Sequence, residues 1–229
     1  MSLNYTRQEM MAIAAGREIR DGELAIFGVG LSLLAGFFAQ AHHAPNVRAM
    51  TEGGVYGATP VGGLPWGIEC NRLCTNAVSF TGGLDALGFL VASGRCEVGL
   101  IGAAQVDRFG NVNTTGIWRG SLDEPFRPPN TRLTGSGGAN DIASGCQRVI
   151  IMLAHERKRF AERVDYLTSP GYLDGGDARA RHPFRGGGPR NQRISTGRLF
   201  RLFQPRRDSR PNRLEFAVRA DVAHRPGAD

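Results

Sequence analysis

Attack on a thioester or ester carbonyl needs a nucleophile and a set of donors for the oxygen that becomes negative. This chain offers both, far apart in sequence. Thr51-Glu52-Gly53-Gly54 places a lone carboxylate at the end of an apolar, strand-like run, on a turn that glycines permit. Gly135-Ser136-Gly137-Gly138-Ala139-Asn140-Asp141 is a glycine loop that opens a helix, where backbone N–H groups are free and the helix dipole is positive. If the two stretches meet, the pattern suits acyl transfer through a carboxylate nucleophile. Each stretch also has a plainer reading. A turn glutamate is usually solvated, and the loop could simply be flexible, with Asn140 as an N-cap. The loop lacks the dinucleotide GxGxxG spacing and no P-loop lysine follows, which argues against nucleotide hydrolysis.

Other candidates are weaker. Gln105, near the end of a buried run (Cys96–Val106), and Asn111 and Asn113 beyond it are placed to line a site, although Gly110-Asn111 is as good as a plain turn. His155-Glu156 resembles the start of a zincin motif, but position 159 is Arg. Cys70-x3-Cys74 has no matching second half, so no metal site is expected. There is no GxSxG nucleophile elbow. The four cysteines (Cys70, Cys74, Cys96, Cys146) form no CxxC pair and the N-terminus is too polar for a leader, which reads as reduced thiols in an intracellular protein.

The elements that must position these groups read α-β-α-β at the start. Thr6-x-x-Glu9 is a capping box for a helix over 6–19. Leu24–Phe27 is a buried strand, Gly28-Val29-Gly30 a tight turn, and a helix runs from Leu31 to about His43, with His42 and His43 set against its last carbonyls. Leu24–Ala41 carries no charge and is nearly long enough to span a bilayer, but the glycine break divides it into strand and helix. A short strand over 47–50 then leads to Glu52. Further on, strands are expected at 77–80, 96–106, 148–153 and 164–167, and helices at 84–92 and 140–145. This rhythm predicts an α/β fold: an open, mostly parallel sheet flanked by helices, in three layers.

At 229 residues the chain fits one such domain with a tail. The net charge of +7 is uneven: from Arg179 onward thirteen arginines face four acids, leaving the preceding residues near −2. We therefore divide the chain into a domain over 1–177 and a basic, Arg/Pro-rich segment over 178–229. A basic tail suits nucleic acid or a membrane surface, but it lacks interleaved aromatics beyond Phe200 and Phe203 and explains neither motif. No nucleic acid or membrane partner is expected.

From Asn4 to Gly176 the chain resembles the beta subunit of family I CoA-transferases, the glutaconate type. The resemblance rests on ordered motifs: Gly28-Val29-Gly30-Leu31, Thr51–Gly54, Gly102–Asp107, Gly110-Asn111-Val112-Asn113, Thr134–Asn140, His155–Phe160 and Thr168–Tyr172. It implies that Glu52 attacks the acyl-CoA thioester and becomes a glutamyl-CoA thioester in a ping-pong exchange with a small mono- or dicarboxylic acid. It implies that Gly137, Gly138 and Ala139 form the oxyanion and CoA-binding loop. Gly28, Gly30, Gly53, Gln105, Asn111 and Asn113 are then the candidates to line the cleft. Coenzyme A is a substrate, with no permanently bound cofactor and no metal. A homologous alpha subunit completes the site in an α2β2, cytoplasmic enzyme. A thioesterase-like hydrolase and a ring-opening C–C hydrolase share this architecture; members of the latter group lack a matching glutamate, so Glu52 favours the transferase. Residues after Gly188 depart from the family's strand-rich C-terminal portion. Their Arg/Pro-rich, lysine-free character is what a shifted reading frame in a GC-rich gene would give, an idea that an intact frame across codons 185–195 would end.

Overall fold

The computed structural model describes residues 5–174 apart from 60–62, 64, 69 and 120–126. The junction expected at 177/178 and the basic segment 178–229 lie outside the described residues. The main sheet contains β1 (Leu24–Phe27), β2 (Arg48–Thr51), β3 (Val55–Tyr56), β4 (Ser79–Phe80), β5 (Val98–Gly102) and β10 (Arg148–Met152), in the order β10-β5-β1-β2-β3-β4. The first four of these run parallel, and β3 and β4 are added antiparallel. The architecture is thus a mixed, mostly parallel sheet flanked by helices. All four residues of β1 are buried, as expected for a strand covered on both faces.

Two helices cover one face. α1 (Arg7–Gly16) starts at the expected capping box: Thr6 Oγ1 accepts the Glu9 N–H at 3.2 Å and the Glu9 carboxylate accepts the Thr6 N–H at 2.6 Å. α2 (Leu31–His42) packs on α1 and presses Gly36 onto the Phe27 ring, where any Cβ would collide. The other face carries α3 (Ala139–Gly145), whose Ile142 and the following Cys146 fill the space above Gly99. Phe27 is in register with Leu100, and Ile26 with Gly99. Register partners point to the same face and neighbours alternate, so α2 and α3 lie on opposite sides of the sheet. Both histidines find main-chain oxygens: His42 Nδ1 lies 2.9 Å from Phe38 O, whereas His43 Nε2 turns to Ile19 O beyond α1, at 3.1 Å.

Several sequence expectations are corrected. The run 96–106 is not one strand. β5 ends at Gly102, Ala103 N–H then bonds Met152 O, Ala104 N–H bonds Asn113 O, and the chain re-enters as β6 (Gln105–Asp107) of a second sheet. That sheet has the order β11-β6-β7, with β7 Val112–Asn113 and β11 Phe160–Ala161, and β8 (Gly116–Ile117) pairs with β9 (Thr131–Arg132) in a two-stranded ribbon. The run 164–167 is not a strand. Its backbone is held by side chains, with Asp165 N–H donating to Gln105 Oε1 at 3.2 Å. The expected helix at 84–92 is a π-helix, Leu84–Val91: Ala92 N–H reaches back five residues to Leu87 O, and Ala86 and Val91, five apart, share the buried face. Finally, α3 is entered from Gly138, so Asn140 lies inside the helix and is not its cap.

The N-terminal end of the parallel strands is tied by ion pairs. Arg148 Nη2 meets the Glu23 carboxylate at 2.6 Å with both side chains nearly buried. Arg48 meets Glu97 at 2.9 Å, and Glu97 also accepts the Leu24 N–H at 2.7 Å. All four cysteines are free. Cys70, Cys96 and Cys146 are buried and Cys74 is exposed. Burial and the neighbouring Cys96 push the Cys146 thiol up. Among the described residues no helix is long and apolar enough to cross a membrane.

Candidate active site

The helices after β1 and β5 leave the sheet toward opposite faces, which opens a crevice at the C-terminal ends of the parallel strands. Open α/β sheets bind ligands there. β1 and β2 are paired through Phe27 and Thr51, so Gly28 and Glu52, the next residues of each, stand side by side above the sheet. The Glu52 side chain is half-buried. Its Oε2 accepts the Gly138 N–H at 3.1 Å, and its Oε1 faces Gly28. The two stretches 86 residues apart therefore meet.

Space at this meeting point explains the glycines. A Cβ on Gly138 would stand 3.0 Å from Cδ and Oε2 of Glu52 and 3.0 Å from Leu87 Cδ1. A Cβ there would press the carboxylate and the end of Leu87 aside. Gly137 holds φ +49°, which turns the loop into the first turn of α3. Behind Glu52, the main chain at Gly83 closes on the Glu52 carbonyl, where a Cβ would lie at 3.1 Å. The carboxylate thus lies between Gly28 and the glycine loop, with the entry of the π-helix against its main chain.

The electrostatics follow. Burial pushes the Glu52 carboxyl above the usual carboxylate range; the Gly138 N–H pulls partly the other way, and the Asp141 charge in the first turn of α3 adds to the rise. Among the described residues no arginine or lysine forms an ion pair with Glu52. A partly desolvated carboxylate without an ion pair, fixed through one oxygen, is a better nucleophile than a solvated one, and its second oxygen faces Gly28 at the end of β1.

The remaining candidates divide. Gly30 is the N-cap of α2, with φ +79°, and Gly53 is exposed beside Glu52. Ala139 is the first residue of α3. Gln105, Asn111 and Asn113 lie in or beside the second sheet, buried, with their amides engaged by the fold. Asn113 Nδ2 donates to Gln105 Oε1 at 2.8 Å and to Gly116 O at 2.7 Å. Asn111 donates to Asp107 Oδ2 and Leu173 O and accepts the Gly171 and Leu173 N–H groups. These contacts fasten the 107–113 hairpin to the 171–173 turn. Sequence reasoning missed Leu87, which backs the Gly138 position, and Gly83, which packs on the Glu52 main chain. The only signal for them was the Gly82-Gly83 step into an apolar run. Among the described residues no cluster of three or more His, Cys, Asp or Glu is arranged to hold a metal.

Comparison with known proteins gives a consistent answer. Residues 8–184 match the coenzyme A transferase family. Over 184 residues the chain is 37% identical to the B-type subunit of glutaconate CoA-transferase of Acidaminococcus fermentans, covering 78% of this chain and 65% of the relative. Over 185 residues it is 36% identical to the B-type subunit of 3-oxoadipate CoA-transferase of Pseudomonas knackmussii, covering 81% and 68%. The crystal structure of the Acidaminococcus fermentans glutaconate coenzyme A-transferase superposes with a TM-score of 0.69 at 35% identity, over 78% of this chain and 67% of that one. The chain spans about two thirds of the length of these relatives. With the fold, the matched span and the identity in agreement, this chain belongs to the coenzyme A transferase family.

Proposed function

We propose that this chain is the beta-type component of a heteromeric cytoplasmic CoA-transferase that moves CoA from an acyl-CoA to a small carboxylic acid, with Glu52 as the covalent nucleophile. The observation that carries the reading is the 3.1 Å hydrogen bond from the Gly138 N–H to Glu52 Oε2. It holds one oxygen of a partly desolvated carboxylate while the other faces Gly28 at the end of β1. In the proposed sequence, a Glu52 oxygen attacks the thioester carbonyl carbon and the CoA thiolate leaves, giving a mixed anhydride. The thiolate then attacks the Glu52 carbonyl and releases the first acid, leaving a glutamyl-CoA thioester. The acceptor carboxylate reverses these two steps. Backbone donors at Gly137 and Gly138 steady the oxyanions; one such donor is worth about 3–4 kcal/mol of barrier.

Two relatives are named for glutaconate and 3-oxoadipate, both dicarboxylic acids, which favours a dicarboxylic substrate here. Both names mark one component of an enzyme with more than one kind of subunit, which favours a homologous alpha partner and an α2β2 assembly. Coenzyme A enters as a substrate, and the chemistry calls for no resident cofactor. The test is covalent trapping. The assembled enzyme is incubated with acyl-CoA and no acceptor, then treated with borohydride or hydroxylamine, and the peptide containing Glu52 is weighed. The expected result is a mass change on Glu52, absent from Glu52→Ala, which is also inactive. Steady turnover without acceptor acid would instead assign a hydrolase, and full activity in Glu52→Ala would end the proposal.

A further inference from the structure

The segment 78–89 carries an unusual share of exposed apolar surface. Val78 (76% exposed), Phe80 (61%), Leu84 (84%) and Phe89 (59%) are among the five most exposed large apolar side chains of the described residues. Val78 and Phe80 flank and form β4, the edge strand of the main sheet, whose outer side has no neighbouring strand among the described residues. Leu84 and Phe89 lie five residues apart on a π-helix, and so on one face of it. Leu84 also covers Gly88, which keeps that face smooth.

The inner face of the same helix builds the catalytic wall. Leu87 meets the Gly138 position, and the Val91 carbonyl is packed against Gly145 at the end of α3. One short helix therefore holds the Glu52 loop on one side and offers Leu84 and Phe89 to the outside. With about 150–250 Å² per aromatic side chain, the exposed parts of these four residues sum to roughly 450 Å². These side chains lie within twelve consecutive residues, 78–89, and their total is comparable to the ~300–600 Å² of apolar patches that are often functional. It is also about the apolar share, some 56–58%, of the ~800 Å² that each partner contributes to a standard interface.

We propose that β4 and the outer face of the π-helix are the docking surface for the homologous alpha subunit, so that heteromer assembly and the setting of the Glu52 loop are coupled through one helix. This rests on the CoA-transferase reading, which calls for a second kind of chain at the crevice, and the area matches a stable heteromeric contact better than a crystal-sized one. An exposed edge strand beside an apolar helix is a hazard in a free chain, and a partner seated there removes it.

The test uses the full chain co-expressed with a homologous alpha-type CoA-transferase subunit. Wild type is expected to elute as a heteromer by light scattering, and amides 78–89 are expected to gain protection from hydrogen exchange only in the complex. Leu84→Asp and Phe80→Asp should each weaken assembly at least 100-fold, while the isolated chain keeps its circular dichroism and Tm. Leu167→Asp, at an exposed apolar position in the second-sheet region, should assemble normally. Assembly of the two aspartate variants at wild-type strength overturns the proposal. So does protection of 78–89 in the isolated chain, whether concentration-independent (the chain covers its own patch) or concentration-dependent (a second copy does). The two readings fail separately. A heteromer that is sensitive to Leu84→Asp but never labels Glu52 leaves the surface standing and removes the transferase. Glu52 labelling in a Leu84→Asp complex does the reverse.

Discussion

The two ends of the main sheet treat carboxylates in opposite ways. At the N-terminal end Glu23 and Glu97 are each matched to an arginine, and Glu97 also accepts a backbone N–H of β1. At the C-terminal end Glu52 has a single backbone donor, a glycine-lined enclosure and a like charge, Asp141, nearby. Charge that is satisfied holds strands together. Charge that is desolvated and left without a cation is poised to react. On the proposed reading the same residue type serves stability at one end and chemistry at the other, and the difference lies in the neighbours.

The largest effect that can break this contrast is at Glu52. Glu52→Gln should lower turnover at least about 10³-fold, since nucleophile removal in comparable covalent enzymes costs this or more. The same change should raise thermal stability at neutral pH. The sign follows from the raised folded-state value. The uncharged form is favoured in the folded chain, so stability from this group is full below the ordinary glutamate range and is lost as pH rises through the raised value. Glutamine removes that loss. In wild type, activity should fall on the acid side through the same raised value, because the carboxylate form is the proposed nucleophile. A Tm for Glu52→Gln below wild type would show that Glu52 is a structural ion like Glu23.

Next is Gly138→Ala. Its Cβ would press on Glu52 and Leu87, and loss of the aligned donor should raise the barrier by about 3 kcal/mol, seen in the rate of Glu52 acylation with Tm little changed. Of similar size but on stability alone is Glu23→Ala, which strands Arg148 at a nearly buried site. Breaking such a pair costs about 3 kcal/mol, read by urea unfolding, with acylation per folded molecule unaffected. Replacing both Glu23 and Arg148 by methionine should recover most of that loss. The smallest effect is Arg48→Ala: half-exposed partners make a pair worth less than about 1 kcal/mol. If Arg48→Ala slowed acylation, the division between the two ends would fail.

Much of this was legible from residue order. The capping box at Thr6 and Glu9, β1, α2 and the meeting of Glu52 with the glycine loop each depend on local rules: a cap, a glycine break, a carboxylate at a strand end. The run 96–106 was not legible, because a continuous apolar stretch reads the same whether it stays in one sheet or changes sheets. The change is fixed by partners distant in sequence, Met152 and Asn113. Gln105, Asn111 and Asn113 look like site-lining residues by type and position. Only the folded chain shows that Gln105 and Asn111 are engaged by the 165–173 backbone and Asn113 by Gln105 and Gly116. The π-helix escaped for a related reason: Leu84–Val91 has apolar residues at nearly every position, so no periodicity separates a four-residue from a five-residue return.

The placement of the four thiols makes the chain a gauge of its own opening. Cys74 is exposed, while Cys70, Cys96 and Cys146 are sealed in the interior. An alkylating reagent should therefore modify one sulfur quickly and the other three only when the molecule breathes or unfolds. Cys96 and Cys146 flank the β5–β10 seam, where Gln147 N–H bonds Cys96 O, so their labelling times would clock that seam separately from the 70–74 turn.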